Sequence, residues 1–261
     1  MQITWIAQCL TTPGGALVFA FVKVLFLSLL LVFAPMSARA CELALVIALD
    51  VSRSVDKYEY ALMRDGVGQA FLDSDVVDLI EWMPGGMKVT VTQWGGVGQQ
   101  RQPIVWRHLS DRQSVARFVR ELVEIDRGFW MADTNVSEAL LHADQMFAQV
   151  GSACRRHVID VSGDGVANAG PKVLPIASAV GAKGVTINGL VVSGARPDPV
   201  AYYVAEVIHG PMAFVEVTHS YRDYARAMKR KLLRELAPNL VQHMPESRGA
   251  WYPSPRGRSH E

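Results

Sequence analysis

The stretch that decides the fold is LALVIALDVSRSV, residues 43–55. Its first seven residues are all aliphatic and lack the alternation of a half-exposed strand. It therefore predicts a strand buried on both faces, as in a parallel sheet. Asp50 ends the apolar run, and the hydroxyls of Ser52 and Ser54 follow at alternate positions. A buried strand that ends in one carboxylate and two hydroxyls raises the question of what these oxygens bind.

Beyond this stretch, strand-like apolar runs alternate with helical patterns. The predicted strands are 43–49, 87–94, 103–108, 157–161, 184–192 and 213–217. The predicted helices are 57–72, 111–123, 136–150, 173–182, 200–208 and 221–235. This alternation predicts an α/β fold with a doubly wound, mostly parallel six-stranded sheet and helices on both faces. The third strand is short and contains Pro103, which favours an antiparallel strand at the edge.

The composition is that of an ordinary globular protein. Half of the 261 residues are hydrophobic, a fifth are charged, and the formal net charge is +1. This balance does not favour binding to nucleic acid or to an anionic membrane. Residues 41–237 have the length of one domain, and residues 238–261, rich in Pro, Arg and Ser, are predicted to be a disordered tail.

The first 40 residues have the pattern of a signal peptide. They contain no acidic residue, and Lys23 precedes the apolar run VLFLSLLLVFA and the sequence Ala38-Arg39-Ala40. Cleavage after Ala40 would leave an exported protein, periplasmic or secreted, with no stable membrane span. The alternative is an uncleaved signal that anchors the protein in the membrane, since Lys23 is the only charged residue in 16–34.

Two cysteines mark the starts of two predicted strands. Cys41 precedes a run that ends at Asp50, and Cys154 precedes a run followed by Asp164. If these strands are parallel neighbours, both cysteines lie at one edge of the sheet and both aspartates at the other. In an oxidising compartment this arrangement predicts a disulfide bond between Cys41 and Cys154.

The two aspartates and the nearby serines form an all-oxygen set. Ligands of doubly wound sheets bind at the carboxyl ends of the strands, which is where the pattern places Asp50 and Asp164. Carboxylates and hydroxyls suit a hard divalent cation such as Mg²⁺, Mn²⁺ or Ca²⁺. The alternative is that Ser52 or Ser54 caps the following helix while Asp50 is solvated. DVSRS alone does not decide between a metal site and a helix cap.

Three segments together resemble a von Willebrand factor type A domain: DVSRS at 50–54, DTNVSEAL at 133–140 and VSGDG at 161–165. The metal-ion-dependent adhesion site (MIDAS) of that family has the pattern Asp-x-Ser-x-Ser, then Thr, then Asp. The matching residues here are Asp50, Ser52, Ser54, Thr134 and Asp164. The resemblance covers about residues 42–237, but FWMADT at 129–134 replaces the usual Gly-Gly before the threonine. HVIDVSGDG, GVTINGLVV and YARAMKRKLLREL also resemble a group of exported bacterial proteins labelled only as a domain of unknown function.

The resemblance implies a protein-binding module rather than an enzyme. These five residues would hold one divalent cation, Mg²⁺ above Mn²⁺ or Ca²⁺, and the cation would bind an Asp or Glu side chain of an unidentified partner protein. Asp133 is expected to lie beside the ligands and orient Thr134. Asp160, inside a strand, is expected to be buried near the site and to accept hydrogen bonds from a neighbouring loop or from the first helix.

Two other functions are considered for the same scaffold. A Mg²⁺-dependent hydrolase or phosphoryl-transfer enzyme needs a nucleophile or base beside the metal, but neither DVSRS nor VSGDG contains a histidine or lysine. The sequence also lacks a G-x-S-x-G elbow and a glycine-rich phosphate loop. The remaining alternative is a structural domain that does not bind metal.

Overall fold

The computed structural model describes residues 41–236. The predicted signal peptide, 1–40, and the predicted disordered tail, 238–261, lie outside these residues. The described chain forms a six-stranded sheet in the order β3-β2-β1-β4-β5-β6. Only the pairing of β2 with β3 is antiparallel, so the predicted architecture with one antiparallel edge strand is confirmed. The strands are β1 Cys41–Asp50, β2 Met87–Trp94, β3 Gln100–Leu109, β4 Cys154–Gly163, β5 Val185–Val192 and β6 Val215–Thr218.

Seven helices flank the sheet within the described residues. They are α1 Lys57–Leu72, α2 Ser74–Trp82, α3 Arg112–Val123, α4 Val136–Met146, α5 Val173–Gly181, α6 Pro199–Tyr202 and α7 Tyr224–Leu236. The sequence patterns did not predict α2. A single residue, Asp73, separates it from α1 and serves as its N-cap. Helix α6 continues as a π-helical turn over Tyr203–Val207. None of the helices in residues 41–236 is long and apolar enough to cross a membrane.

Strand β1 lies at the centre of the sheet, between β2 and β4. All ten of its residues are buried, which explains the absence of alternation in its sequence. Residues such as Leu45 and Ile47 belong to the core under α1, α2, α3 and α7. Residues such as Ala44 and Val46 belong to the core under α4, α5 and α6 on the opposite face. The small side chains of β1 thus face one helical layer and the large ones face the other.

The edge strand β3 is longer than predicted, at ten residues. Its register with β2 shifts on both sides of the pair formed by Val91 and Ile104. Pro103 lies in this irregular segment, where a residue without an N–H group does not interrupt a regular ladder. The Thr90 hydroxyl donates to the carbonyl oxygen of Ile104 over 2.6 Å and adds a side-chain bond at this irregularity.

The predicted disulfide between Cys41 and Cys154 is present in the structure. The two residues are paired across β1 and β4, with their Cα atoms 4.5 Å apart. The parallel register continues without a shift from this pair to the pair of Leu49 and Ser162. The bond therefore ties the starts of the two strands together, while their ends lie side by side at the opposite edge of the sheet.

Asp160 is buried as predicted, but its partner is not a loop or the first helix. Lys231 of α7 places its Nζ 2.8 Å from Asp160 Oδ1 and 2.6 Å from Glu235 Oε1, and all three side chains are buried. Asn188 of β5 donates to the same Glu235 oxygen over 2.7 Å. The expectation was wrong because α7, the last helix of the described chain, covers this face of the sheet and brings a lysine to it.

We predict that Lys231→Met destabilises the protein strongly. Its removal leaves two buried carboxylates without their cation, a change that typically costs about 3–5 kcal/mol of unfolding free energy. The matched control is Arg230→Met on the same helix, because Arg230 pairs with Glu216 near the surface and exposed pairs contribute about 1 kcal/mol or less. Urea denaturation measures both variants, and equal losses would contradict a dominant role for the buried pair.

We also predict that the disulfide contributes substantially to stability. The two cysteines are 113 residues apart in sequence, and the chain-entropy model gives about 4–5 kcal/mol for a loop of that size. The double variant Cys41→Ser/Cys154→Ser should therefore unfold at a markedly lower temperature than the oxidised wild type. Reduced wild type should match the variant, and an unchanged melting temperature in both would contradict the prediction.

Candidate metal site

The candidate site lies where β1 and β4 end. These strands are neighbours at the point where the strand order changes direction, the usual ligand-binding position of doubly wound sheets. The Ser54 hydroxyl donates to Asp164 Oδ1 over 2.7 Å, and the Ser52 and Ser54 hydroxyl oxygens are 3.1 Å apart. The backbone N–H of Ser52 donates to Asp50 Oδ1 over 2.6 Å. The side chains of Ser52, Ser54 and Asp164 thus contact one another in turn, and Asp50 is joined to them through the backbone N–H of Ser52.

The serines do not cap the following helix. Asp56 is the N-cap of α1, and its Oδ1 accepts hydrogen bonds from the backbone N–H groups of Tyr58 and Glu59 at 2.7 and 2.8 Å. The Glu59 side chain accepts from the backbone N–H of Asp56 over 2.9 Å and completes a capping box. The capping alternative for Ser52 and Ser54 is therefore wrong, and both hydroxyls are left to the site.

Thr134, the fifth predicted ligand, lies on a loop tied to both sides of this cluster. Its backbone N–H donates to Asn168 Oδ1 over 2.8 Å, and the Asn168 N–H donates back to the Thr134 carbonyl oxygen over 3.0 Å. On the other side, the Arg53 N–H donates to the Ala132 carbonyl oxygen over 2.8 Å. These bonds connect the Thr134 loop to the loops after β1 and β4, and the Thr134 side chain is buried there.

The segment that replaces the usual Gly-Gly of the family takes an unusual backbone conformation. Met131 has a φ of 57°, in the left-handed region where glycine is favoured. Its side chain is exposed, as is that of the neighbouring Trp130. Asp133 is also exposed and lies 3.9 Å from Arg53. Its predicted role in orienting Thr134 therefore stays a prediction.

Asp50 is the most perturbed group of the cluster. Its side chain is fully buried, and its second oxygen, Oδ2, has no hydrogen-bond partner among the described residues. Burial, and then the neighbouring charge of Asp164, raise the pKa of Asp50 to about 7, although the hydrogen bonds with Ser52 and the charge of Arg127 oppose this shift. A buried carboxylate oxygen without a donor is the feature that a bound cation satisfies.

Arg127, which was not predicted from the sequence, holds the loop after β1 in place. Its guanidinium donates to the carbonyl oxygens of Val51 and Ser52, each over 2.9 Å, and so holds the loop that carries both serines. Trp130 stacks on the same guanidinium at 4.6 Å. Asn168, which accepts a hydrogen bond from the Thr134 backbone, was not predicted from the sequence either. Neither residue belongs to a motif, and only their positions in loops near the matched segments point to them.

The donor set fits a hard divalent cation whose charge is balanced by two carboxylates. In residues 41–236, no group of three or more His, Cys, Asp or Glu side chains is placed to hold a metal ion. The candidate set accordingly contains two carboxylates, and hydroxyls supply its other oxygens. When ionised, Asp50 and Asp164 balance a divalent charge without exceeding it, and a cation held in this way retains affinity for a further anion.

Comparison with known proteins supports the fold. A family model described as "Protein of unknown function (DUF1194)" matches residues 40–240. Proximal thread matrix protein 1 from the mussel byssus aligns with 76% of this chain and 49% of its own, at 18% identity and a TM-score of 0.57. Another structure of that protein, with a zinc-occupied MIDAS motif, aligns with 76% of this chain and 48% of its own, at 16% identity and a TM-score of 0.53. The vWF domain of the type V pili tip protein Mfa5 from Porphyromonas gingivalis aligns with 80% of this chain and 98% of its own, at 10% identity and a TM-score of 0.53.

These similarities confirm a von Willebrand factor type A fold. The identities are low, so the likeness extends to the fold alone, and the chain spans about half the length of the byssus structures that it matches. A comparison with curated proteins finds no match to this sequence.

We predict that Asp50→Asn stabilises the metal-free protein at neutral pH. Because the folded pKa of Asp50 is raised, the folded state binds this proton more tightly than the unfolded state, and stability falls as the pH rises from about 4 to about 7. Asparagine removes this penalty, so the variant should gain roughly 2–4 kcal/mol over wild type at pH 8. Near pH 4 the difference should almost disappear.

Urea denaturation in EDTA at both pH values tests this prediction. The comparison of variant with wild type at each pH cancels the titration of other groups. Added Mg²⁺ should stabilise the wild type but not Asp50→Asn. If the variant is less stable than wild type by the same amount at both pH values, burial of the ionised Asp50 carboxylate does not destabilise the folded protein.

Proposed function

The chain belongs to the DUF1194 family, whose description assigns no function, and we propose that it is a divalent-cation-dependent protein-binding module. The observation that carries the proposal is the buried Oδ2 of Asp50, which has no hydrogen-bond partner among the described residues. The Oδ1 of the same carboxylate accepts from the Ser52 backbone, and the Ser52 hydroxyl leads through Ser54 to Asp164. A cation at this position would satisfy the free oxygen and offset the charge that raises the pKa of Asp50.

The metal that we propose is Mg²⁺, with Mn²⁺ as a substitute and Ca²⁺ as a weaker candidate. Asp50, Ser52, Ser54, Thr134 and Asp164 would hold it, and the set contains neither a thiolate nor an imidazole. Oxygen-only sets favour hard cations over zinc. Zinc occupies the MIDAS motif of one byssus protein structure, which supports a divalent cation at this position of the fold.

The partner that we propose is a protein that offers an Asp or Glu side chain to the cation. A cation balanced by only two carboxylates attracts a third from outside, which a more acidic site would repel. Beside Asp164, an open cavity of about 420 Å³ is lined by residues that include Tyr58, His219 and Arg222. The cavity gives a partner segment room next to the metal. Because its lining includes Asp56, Glu59 and Asp164 as well as Arg222, the bound cation would be the group that attracts an acidic side chain.

An enzymatic role receives less support from the site. The Ser54 hydroxyl donates to Asp164 and is not activated by a histidine, as a nucleophile would be. Export is part of the proposal, because the disulfide of Cys41 with Cys154 is of a kind that forms and persists in oxidising compartments. The signal-peptide pattern of residues 1–40 agrees with it.

We predict that the purified protein binds one Mg²⁺ or Mn²⁺ ion per chain, measured by titration calorimetry. Asp50→Ala should abolish binding because half of the ligand charge is lost, Asp164→Ala should weaken it strongly, and Thr134→Ala should weaken it modestly. Asp56→Ala is the matched control, since it removes an exposed aspartate from the same loop but only the cap of α1. Its affinity for Mg²⁺ should equal that of wild type. Equal binding by wild type and Asp50→Ala would show that the site is assigned wrongly.

We predict that partner capture depends on the metal. Immobilised wild type should retain the same partner from the exported fraction of its native cells in Mg²⁺ and release it in EDTA. Asp50→Ala should fail to retain it under both conditions. Capture that persists in EDTA and with Asp50→Ala would rule out a metal-dependent contact.

A further inference from the structure

A second buried oxygen, the Tyr203 hydroxyl, lies beside Gly163 close to Asp50 Oδ2. Gly163 is the last residue of β4, and a Cβ atom built on it would lie 2.5 Å from the Tyr203 hydroxyl and 3.1 Å from Asp50 Oδ2. The Trp94 ring closes the same space at 3.6 Å from that point. Both oxygens therefore approach the same side of Gly163 closely, and the absence of a side chain there is what allows them to do so.

Both oxygens are buried, and neither has a hydrogen-bond partner among the described residues. Tyr203 has no exposed surface, and burial raises the pKa of its hydroxyl well above the usual value, with the charge of Asp50 adding to the shift. A buried hydroxyl without a partner costs stability, and phenylalanine would fill the same volume without that cost. The hydroxyl is therefore not explained by packing.

The local backbone sets Tyr203 apart as well. It is the first residue of the π-helical turn Tyr203–Val207, which follows the short helix α6. Such turns are rare in proteins and are frequent at functional sites. The chain thus leaves regular helical geometry at the residue whose hydroxyl reaches the end of β4.

We propose that Tyr203 is a positioning residue for the metal site. Its hydroxyl, a buried donor beside Asp50 Oδ2, holds that carboxylate oxygen in the orientation that the cation needs. A tyrosine hydroxyl is a suitable donor to a carboxylate oxygen, and Tyr203 has no other hydrogen-bond partner among the described residues. The inference rests on the proposed metal-dependent function and adds a residue that none of the matched motifs contains.

Tyr224 provides a matched control for Tyr203. It is also fully buried, but its hydroxyl is 2.5 Å from the Ser162 hydroxyl and is therefore already paired. It belongs to the core on the face of the sheet under α1 and α7, whereas Tyr203 belongs to the core on the other face. Removal of the Tyr203 hydroxyl should weaken Mg²⁺ binding without lowering stability. Removal of the Tyr224 hydroxyl should lower stability without changing Mg²⁺ binding.

The test compares Tyr203→Phe with Tyr224→Phe by Mg²⁺ titration calorimetry and by thermal unfolding in EDTA. We expect Tyr203→Phe to weaken Mg²⁺ binding about tenfold, as loss of an outer hydrogen bond to a metal ligand does, while the melting temperature in EDTA is unchanged or higher. Tyr224→Phe should bind Mg²⁺ as wild type does and should melt at a lower temperature. Tyr203→Phe with wild-type affinity would overturn the inference, as would a melting temperature lowered in EDTA with affinity unchanged.

A second variant probes the same space from the strand. Gly163→Ala places a methyl group between the two oxygens, so the folded variant should also bind Mg²⁺ more weakly, and wild-type affinity would count against the inference. The two proposals can fail separately. A wild-type protein that binds no divalent cation overturns both, whereas a wild type that binds Mg²⁺ no better than Tyr203→Phe overturns only the role of Tyr203.

Discussion

The parallel pairing of β1 with β4 is the constraint on which the rest of the structure depends. The pair is held at one end by the disulfide between Cys41 and Cys154, and its register runs unbroken to the other end. Strand order also changes direction at this pair, because β2 and β3 lie on one side of it and β5 and β6 on the other. One strand pairing therefore fixes the edge of the sheet at which Asp50 and Asp164 meet.

The interior contains two buried aspartates that the fold treats differently. Asp160 receives a cation from within the chain, since Lys231 of α7 lies 2.8 Å away, and Glu235 and Asn188 complete that network. Asp50 is equally buried, but it has no ion-pair partner among the described residues, and the charge of Asp164 adds to burial in raising its pKa. The buried charge of Asp160 is thus balanced by a lysine of the same chain, whereas the buried charge of Asp50 is not balanced by an ion pair within the described residues. This contrast is the physical basis for our proposal that Asp50 binds a cation.

The regular part of the fold could be predicted from the sequence because it depends on local patterns. The unbroken apolar run of β1, the alternation of strands with helices and the proline in β3 each have a direct structural counterpart. The matched positions of Cys41 and Cys154 relative to Asp50 and Asp164 indicated neighbouring strands in parallel register, as observed. The convergence of the two serines with Asp164 followed from the family resemblance and is also observed.

Most of the features that were not predicted depend on contacts between distant parts of the chain. Lys231 is 71 positions from Asp160 in the sequence, and nothing in the helical pattern of α7 distinguishes a buried lysine from a solvated one. Arg127 and Asn168 act on backbone groups of other loops, which carry no residue-specific signal. Helix α2 is short, and only one residue separates it from α1, so its pattern merged with its surroundings. Tyr203 becomes notable only because Gly163 and Asp50 lie against its hydroxyl.

The most direct test of the central claim is a crystal structure of the protein grown with Mn²⁺, with anomalous diffraction measured at the manganese edge. We expect one strong anomalous peak in contact with oxygen atoms of Asp50, Ser52, Ser54, Thr134 and Asp164, either directly or through bound water. A peak held by other residues, or well-ordered density for these side chains with no anomalous signal at saturating Mn²⁺, would contradict it.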